Sequence, residues 1–334
     1  MPEPGARNLI TDVAGVTVGN ATDEGAQTGV SVLRCAEQFV AAVDARGGAP
    51  GTRETNVLQS ENLVGRADAI VLAGGSVFGL AAADGVACAL SAANIGLRMA
   101  DSGPAIPIVP AAVLHDLGNE GDKAWGENPP YRELGAQALA AAAVDFQLGA
   151  VGAGRGAMAG AVIGGLGSAS VVLDNGVQVG ALVGANPAGS VLMPDGDAFY
   201  AWPWEHGKEF GGRKPPVDRD IASPFAAYSR FAARPKAGAN TIIAVVATSA
   251  DLGGPEAKRI AIMAHDGIAR AVRPAHTPFD GDVIFAVATA KQKLPASGDF
   301  MRPLAIAEIG GAAGDCVARA IARAVYCARS RRKV

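Results

Sequence analysis

A layered domain of packed sheet and helix is what the sequence predicts, on three observations. Hydrophobic residues fill 49% of the 334 positions and charged residues only 18%, which is enough apolar material for a large buried core. Aromatic residues are 5% while glycines number 44, a balance suited to strands and helices that approach closely. Strand-like and helix-like stretches alternate in both halves, with no internal repeat.

Taken in order, Val30, Val32 and Leu33 open one short strand and residues 39–44 supply a second, before Gly47, Gly48, Pro50 and Gly51 break the pattern. Residues 69–72 read as a buried strand running into Gly74-Gly75-Ser76, with Ser76 as the N-cap of a helix that reaches Leu90. A second helix spans 133–144. Strands at 168–173 and 178–183 are joined by Asp174-Asn175-Gly176, an Asn-Gly hairpin signal. From Pro203 to Asn240 the chain turns rich in Pro, Lys, Arg, Asp and Gly, with an apolar interruption near Phe225, and predicts an exposed connection. It ends where Thr241-Ile-Ile-Ala-Val-Val-Ala247 begins, the most strand-like run in the protein. A helix over 255–272 carries Ile260, Met263, Ala264, Ile268 and Ala271 on one face. A strand over 282–289 and a helix over 312–329, with Val317, Ile321 and Val325 in register, close the chain.

Net charge is −3, and the only basic cluster is the tail at 329–333, so no nucleic-acid partner is expected. The opening Met1-Pro-Glu-Pro-Gly5 carries no signal pattern and no apolar run reaches the ~20 residues of a span, which predicts a cytoplasmic protein without a membrane partner. Cys35, Cys88, Cys316 and Cys327 show no C-x-x-C spacing and sit in apolar stretches, as buried free thiols do. His115, His206, His265 and His276 form no H-E-x-x-H, and Gly152-Ala-Gly-Arg-Gly156 completes no phosphate loop, so neither metal nor cofactor is expected.

Three features bear on chemistry. Thr241 stands where the polar connection meets a buried strand. It reads either as a plain strand start or as a nucleophile activated by its own α-amine, whose unperturbed pKa of about 7.7–8.0 suits a general base once the preceding bond is cut. Asp280-Gly281-Asp282 is either an Asp-Gly turn or a carboxylate pair able to orient an ammonium and relay a proton. Asn186-Pro187 is either a turn start or a side-chain amide donor for an oxyanion.

The segments Asp44-Ala-Arg-Gly-Gly-Ala-Pro-Gly-Thr-Arg-Glu-Thr55, Ala73-Gly-Gly-Ser-Val-Phe-Gly-Leu80, Asn186-Pro187, Asn240-Thr241, Ala264-His-Asp-Gly-Ile-Ala-Arg270 and His276-Thr-Pro-Phe-Asp-Gly-Asp282 occur in this order. Together they resemble the DmpA-type aminopeptidase and nylon-oligomer hydrolase family, a set of self-processing N-terminal-nucleophile hydrolases. Asn-Thr and Asp-Gly-Asp are more similar to the nylon-oligomer hydrolase branch, since the aminopeptidase branch typically cuts at Gly-Ser. The resemblance implies an α+β fold, the αββα four-layer sandwich shared with ornithine acetyltransferases. It implies one domain over 1–334 that cleaves itself into 1–240 and 241–334, which stay associated in a homo-oligomer, commonly a tetramer. It assigns Thr241 as nucleophile, Asn186 to the oxyanion, Asp280 and Asp282 as the acidic pair, and a small peptide or amide oligomer as substrate. In the same comparison Ile163 stands where relatives commonly carry a lysine, and His115 where they carry an aromatic near the pocket; Gly74, Gly75 and Ser76 look like scaffold. Two other outcomes are an acyltransferase, whose relatives process at Ala-Thr-Met-Leu rather than Asn-Thr-Ile-Ile, and a processing-dead binding protein.

Overall fold

A computed structural model describes residues 2–99, 102–194, 196–216, 228–233 and 240–331. Phe225 lies outside the described residues, as do residues 332 and 333 of the basic tail. Eleven strands, β1 (Val16–Asp23), β2 (Thr28–Ala45), β3 (Gly51–Arg53), β4 (Arg66–Ala73), β5 (Ala111–Val113), β6 (Met158–Ala159), β7 (Val162–Ile163), β8 (Gly165–Val172), β9 (Gln178–Asn186), β10 (Thr241–Ala250) and β11 (Val283–Gln292), are joined by four α-helices. The helices are α1 (Ala82–Ala92), α2 (Tyr131–Ala140), α3 (Gly254–Ala271) and α4 (Met301–Arg331).

One nine-stranded sheet runs β3-β5-β4-β2-β11-β10-β9-β8, with β1 on β2, while β6 and β7 form a separate hairpin. The sheet folds back on itself through β2, whose pairing with β4 slips between Arg34 and Phe39. Side chains of the two halves, such as Leu33, Ile70, Leu72, Leu166, Ile243 and Phe285, meet in a central apolar layer. Helices α1 and α2 cover one outer face, and α3 and α4 the other. The result is an αββα four-layer sandwich of the α+β class.

Strand β10 shows why its sequence is apolar without alternation. Ile242, Ala244 and Val246 pack toward α3 and α4, while Ile243, Val245 and Ala247 enter the central layer. A strand covered on both faces has no polar side, and each buried Ile or Val contributes about 1.5–3 kcal/mol. Against β8, α4 lies so close that a Cβ on Gly167 would come within 1.9 Å of the Ala320 carbonyl oxygen.

Several expectations need correction. The two short runs near Val30 and residues 39–44 are one strand, because the bulge absorbs the polar residues Arg34, Glu37 and Gln38 between them. Ser76 caps no helix: it opens a 3₁₀ turn with a left-handed φ of 52°, and α1 begins only at Ala82. The last helix starts at Met301, earlier than its clean apolar register. Cys35 and Cys316 are buried thiols, but Cys88 is exposed and Cys327 half-buried. Within the supposedly exposed connection, Phe210 is buried and the Glu209 side chain meets Arg319 of α4, itself fully buried, at 2.6 Å. Among the described residues, no helix is long and apolar enough to cross a membrane.

Candidate active site

Three chain segments converge where β10 begins. Thr241 pairs with Asn186, the last residue of β9. The preceding Asn240 bridges to Asp280 in the loop before β11. Asn186, Asn240, Thr241, Asp280 and Asp282 are each at most 2% exposed, so any polar atom among them left without a partner is costly.

The Asn240–Thr241 peptide sits in a particular setting. The Asn240 carbonyl oxygen accepts the Gly281 backbone N–H at 3.0 Å. It also accepts the Thr241 hydroxyl, which places Oγ1 beside that carbonyl. Gly281 has to be glycine here, because a Cβ would lie 2.9 Å from Thr241 Oγ1 and 2.5 Å from the Ala49 carbonyl oxygen.

The two carboxylates differ in their surroundings. Asp280 Oδ1 accepts the Ala188 N–H at 3.0 Å, and Oδ2 accepts the N–H and hydroxyl of Thr277 at 3.0 and 2.5 Å. Burial, and then the charge of Asp282, push the Asp280 pKa above the ordinary carboxylate range. Asp282 Oδ1 accepts the Ile242 N–H at 2.8 Å, and its Oδ2 lies 2.7 Å from His276 Nδ1. Behind that imidazole stands the buried His265, ring centroids 5.0 Å apart, with Nε2 at 3.1 Å from the Asp44 carbonyl oxygen. Burial pushes the His265 pKa down to about 4, so the ring is neutral near pH 7. Burial opposes ionisation of Asp44 too, yet hydrogen bonds from Lys258 and Arg46 hold its carboxyl below the ordinary value.

Asn186 is held at both ends of its amide. Its Oδ1 accepts the Met158 N–H and Arg230 Nη2, both at 2.9 Å, and its Nδ2 donates to the His115 carbonyl at 3.2 Å. A cavity of about 340 Å³ lies alongside, lined by Thr52, Ser76, Leu80, His115 and Thr241 among others. The structure therefore brings together Thr241, Asn186, Asn240, Asp280, Asp282 and His115, and adds Ser76 to the cavity wall.

Sequence reasoning missed three participants. The Gly281 N–H is backbone and leaves no side-chain signal. His276 lay inside a motif, but its pairing with Asp282 depends on a turn. Arg230 sat in the connection read as exposed; it donates to Asn240 Oδ1 at 2.7 Å and to the carbonyls of Met158 and Gly160 at 2.6 and 3.3 Å. Ile163 lies on the β6–β7 hairpin opposite Met158, while Arg155 is committed to Glu24 at 2.7 Å. Among the described residues, no group of three or more His, Cys, Asp and Glu side chains is placed to hold a metal ion.

Comparison with known proteins identifies the family. The model of peptidase family S58 matches residues 8–333. A Mycobacterium tuberculosis protein described as an uncharacterized aminopeptidase is 42% identical over 340 residues, covering 96% of this chain and 94% of its own. The 6-aminohexanoate-oligomer endohydrolase of a Kocuria species is 32% identical over 303 residues, or 88% of this chain and 78% of its own. The L-aminopeptidase D-Ala-esterase/amidase of Ochrobactrum anthropi, described as a variant of the Ntn hydrolase fold, superposes with a TM-score of 0.72 at 23% identity, over 98% of this chain and 88% of its own, and bears on the fold alone. A four-layer sandwich with a buried polar site at one strand end thus matches a family over nearly its whole length: the chain belongs to peptidase family S58, a family of peptide-bond hydrolases.

Proposed function

We propose that this protein is an N-terminal-nucleophile amidohydrolase that cuts itself between Asn240 and Thr241 and then hydrolyses small peptides or amide oligomers through Thr241. The observation that carries the reading is the Thr241 hydroxyl beside the Asn240 carbonyl, whose oxygen already accepts the Gly281 N–H. A fixed donor aimed at the oxygen that gains charge lowers the barrier to attack.

In the first round, Oγ1 bonds to the Asn240 carbonyl carbon, the bond to the Thr241 nitrogen breaks, and the hydroxyl proton ends on that nitrogen. Water then adds to the resulting ester, leaving an Asn240 carboxylate and the free Thr241 hydroxyl. In the second round, the new α-amine takes the proton from Oγ1, which bonds to the substrate carbonyl carbon; the carbon–nitrogen bond breaks, the amine leaves with that proton, and water then cleaves the ester to free the acid and the Thr241 hydroxyl. The carboxylates at 280 and 282 flank this strand end and favour an ammonium there, while His276 orients Asp282. Asn186 is the side-chain donor for the substrate oxyanion, and the cavity bearing His115 and Ser76 receives substrate.

Intact-mass measurement of purified protein after incubation tests the reading. Two chains, the smaller opening Thr-Ile-Ile-Ala, are expected from the wild type, and one chain from Thr241→Ala. Cleavage at 240 in that variant would remove Thr241 from the mechanism. A wild type that stays whole would favour the processing-dead reading.

A further inference from the structure

The residue occupying the acyl position before cleavage is part of the protein itself, and its surroundings amount to a mould. Scissile and substrate carbonyl carbons must both come within bonding reach of the same Thr241 Oγ1. The chain attached to the acyl carbon then extends into the space that the Asn240 side chain fills. That side chain is fully buried. Its Oδ1 accepts Arg230 Nη1 at 2.7 Å, and its Nδ2 has no hydrogen-bond partner among the described residues. Among the described residues the pocket offers a cation to one atom of the carboxamide and no partner to the other, so Asn240 fits it in length and polarity and is held there at one end.

Arg230 is fixed independently of Asn240. Its backbone N–H donates to the Ala188 carbonyl at 2.8 Å, and the Tyr228 carbonyl accepts the Ala161 N–H at 2.7 Å. Phe231 packs edge-on against Phe279 with centroids 6.0 Å apart. Its guanidinium is also tied to Met158, Gly160 and Asn186. These anchors do not pass through the scissile bond, so the cation stays in place when the Asn240 end departs. Burial disfavours its charge and Asp280 supports it, and an acceptor entering from the acyl side meets a donor with little competing water.

We infer that Arg230 is a specificity-determining residue of the acyl subsite, selecting four-carbon acyl groups whose far end is a carboxamide or carboxylate, as in asparaginyl, aspartyl and succinyl amides. In such groups, as in Asn240, the distal oxygen stands three carbons beyond the scissile carbon. An alanyl group stops short of Arg230, and an acyl chain ending in an ammonium meets like charge. The inference rests on Thr241 as the nucleophile of both rounds.

The test uses the self-cleaved wild type on a panel of p-nitroanilides with asparaginyl, aspartyl, succinyl, alanyl and lysyl acyl groups. Expected is a kcat/KM at least tenfold higher for the first three than for alanyl, with lysyl lowest. Arg230→Met should erase that preference, mainly through KM, so that the asparaginyl, aspartyl and succinyl groups fall to within about threefold of alanyl in the same variant. Arg230→Lys should retain part of it for the two acidic groups. Equal turnover of alanyl and asparaginyl anilides by the wild type overturns the inference while leaving the nucleophile standing, as does an unchanged preference in Arg230→Met. If Arg230→Met does not fold or process, the wild-type panel decides alone, together with competition by succinamate against alanyl anilide, which should inhibit more strongly than butyramide. A wild type that neither self-cleaves nor turns over any anilide removes the nucleophile, and the inference falls with it.

Discussion

Arg319 is buried and Arg230 half-buried, and the two are satisfied in different ways. Arg319, on α4, is fully buried and donates to Glu209 at 2.6 Å, with further bonds to Asn8 and the Ser170 carbonyl. Among the acceptors of Arg230 are neutral oxygens, the side-chain carbonyls of Asn186 and Asn240 and the main-chain carbonyls of Met158 and Gly160, and Asp280 supports its charge. A charge matched by a charge fastens the fold, here tying α4 to the connection that precedes the site. A charge solvated by dipoles keeps its field available to an incoming ligand. The difference separates an arginine matched directly by a carboxylate from one held largely by carbonyl dipoles.

The largest effect is expected from Arg319→Met, which removes the nearer arginine from the largely buried Glu209 carboxylate and leaves it Arg323 at 3.5 Å and Asn8 at 2.6 Å. It should cost about 3–5 kcal/mol, read as a fall in the denaturant midpoint. Arg319→Met combined with Glu209→Leu should recover most of that loss, since an apolar pair of similar volume replaces the charges. If the single and double variants are equally unstable, the pair is not what fastens α4.

His265, behind the acidic pair, comes next. Its pKa is pushed from the ordinary 6.5 to about 4, so between those values the unfolded chain takes up a proton that the fold refuses. Stability should therefore fall as pH drops through that window, by up to about 3 kcal/mol. His265→Gln should flatten the dependence in pH-resolved urea melts. An unchanged slope would place the acid sensitivity elsewhere.

Arg230→Met should destabilise less than Arg319→Met, by about 1–3 kcal/mol, because the carbonyl oxygens of Asn186, Asn240, Met158 and Gly160 that lose a donor carry no formal charge. Equal losses in the two variants would dissolve the contrast. The smallest effects separate the nearby carboxylates by sign. Burial works against Glu209, but Arg319 draws its carboxyl below the usual value, so the stability it confers is present above that value and lost as pH falls through its folded pKa. Asp280 is raised, so the fold holds its proton longer than the unfolded chain, and its contribution declines as pH rises through the folded value. Glu209→Gln and Asp280→Asn should change the stability slope in opposite directions; a shared sign would contradict the assignment.

The sequence made parts of this arrangement readable and hid others for physical reasons. Strand β10 and helix α3 were visible because long apolar runs and a single apolar helix face survive in one dimension. The site residues Asn186, Thr241, Asp280 and Asp282 were visible as motifs, since each stands next to a strand end or turn with its own local signal. Arg230 and Glu209 were not. A charged residue in a Pro- and Gly-rich connection looks solvated, and contacts more than forty residues away in sequence draw it largely out of solvent. Strands β3 and β5, three residues each, owe their form to neighbours in the sheet rather than to local preference.

The strand that begins at Thr241 does not lie at an edge. It is flanked by β9 on one side and β11 on the other, and β11 continues to β2, so the strands after Thr241 are woven through the middle of a sheet whose remaining strands precede the proposed cut. Breaking that one peptide bond would remove none of these ladder pairings. It would change what unfolding means, because two strangers would have to find each other again where one chain only has to close a loop. In a cut protein the midpoint of unfolding would become a function of its own concentration; in an uncut chain it would not.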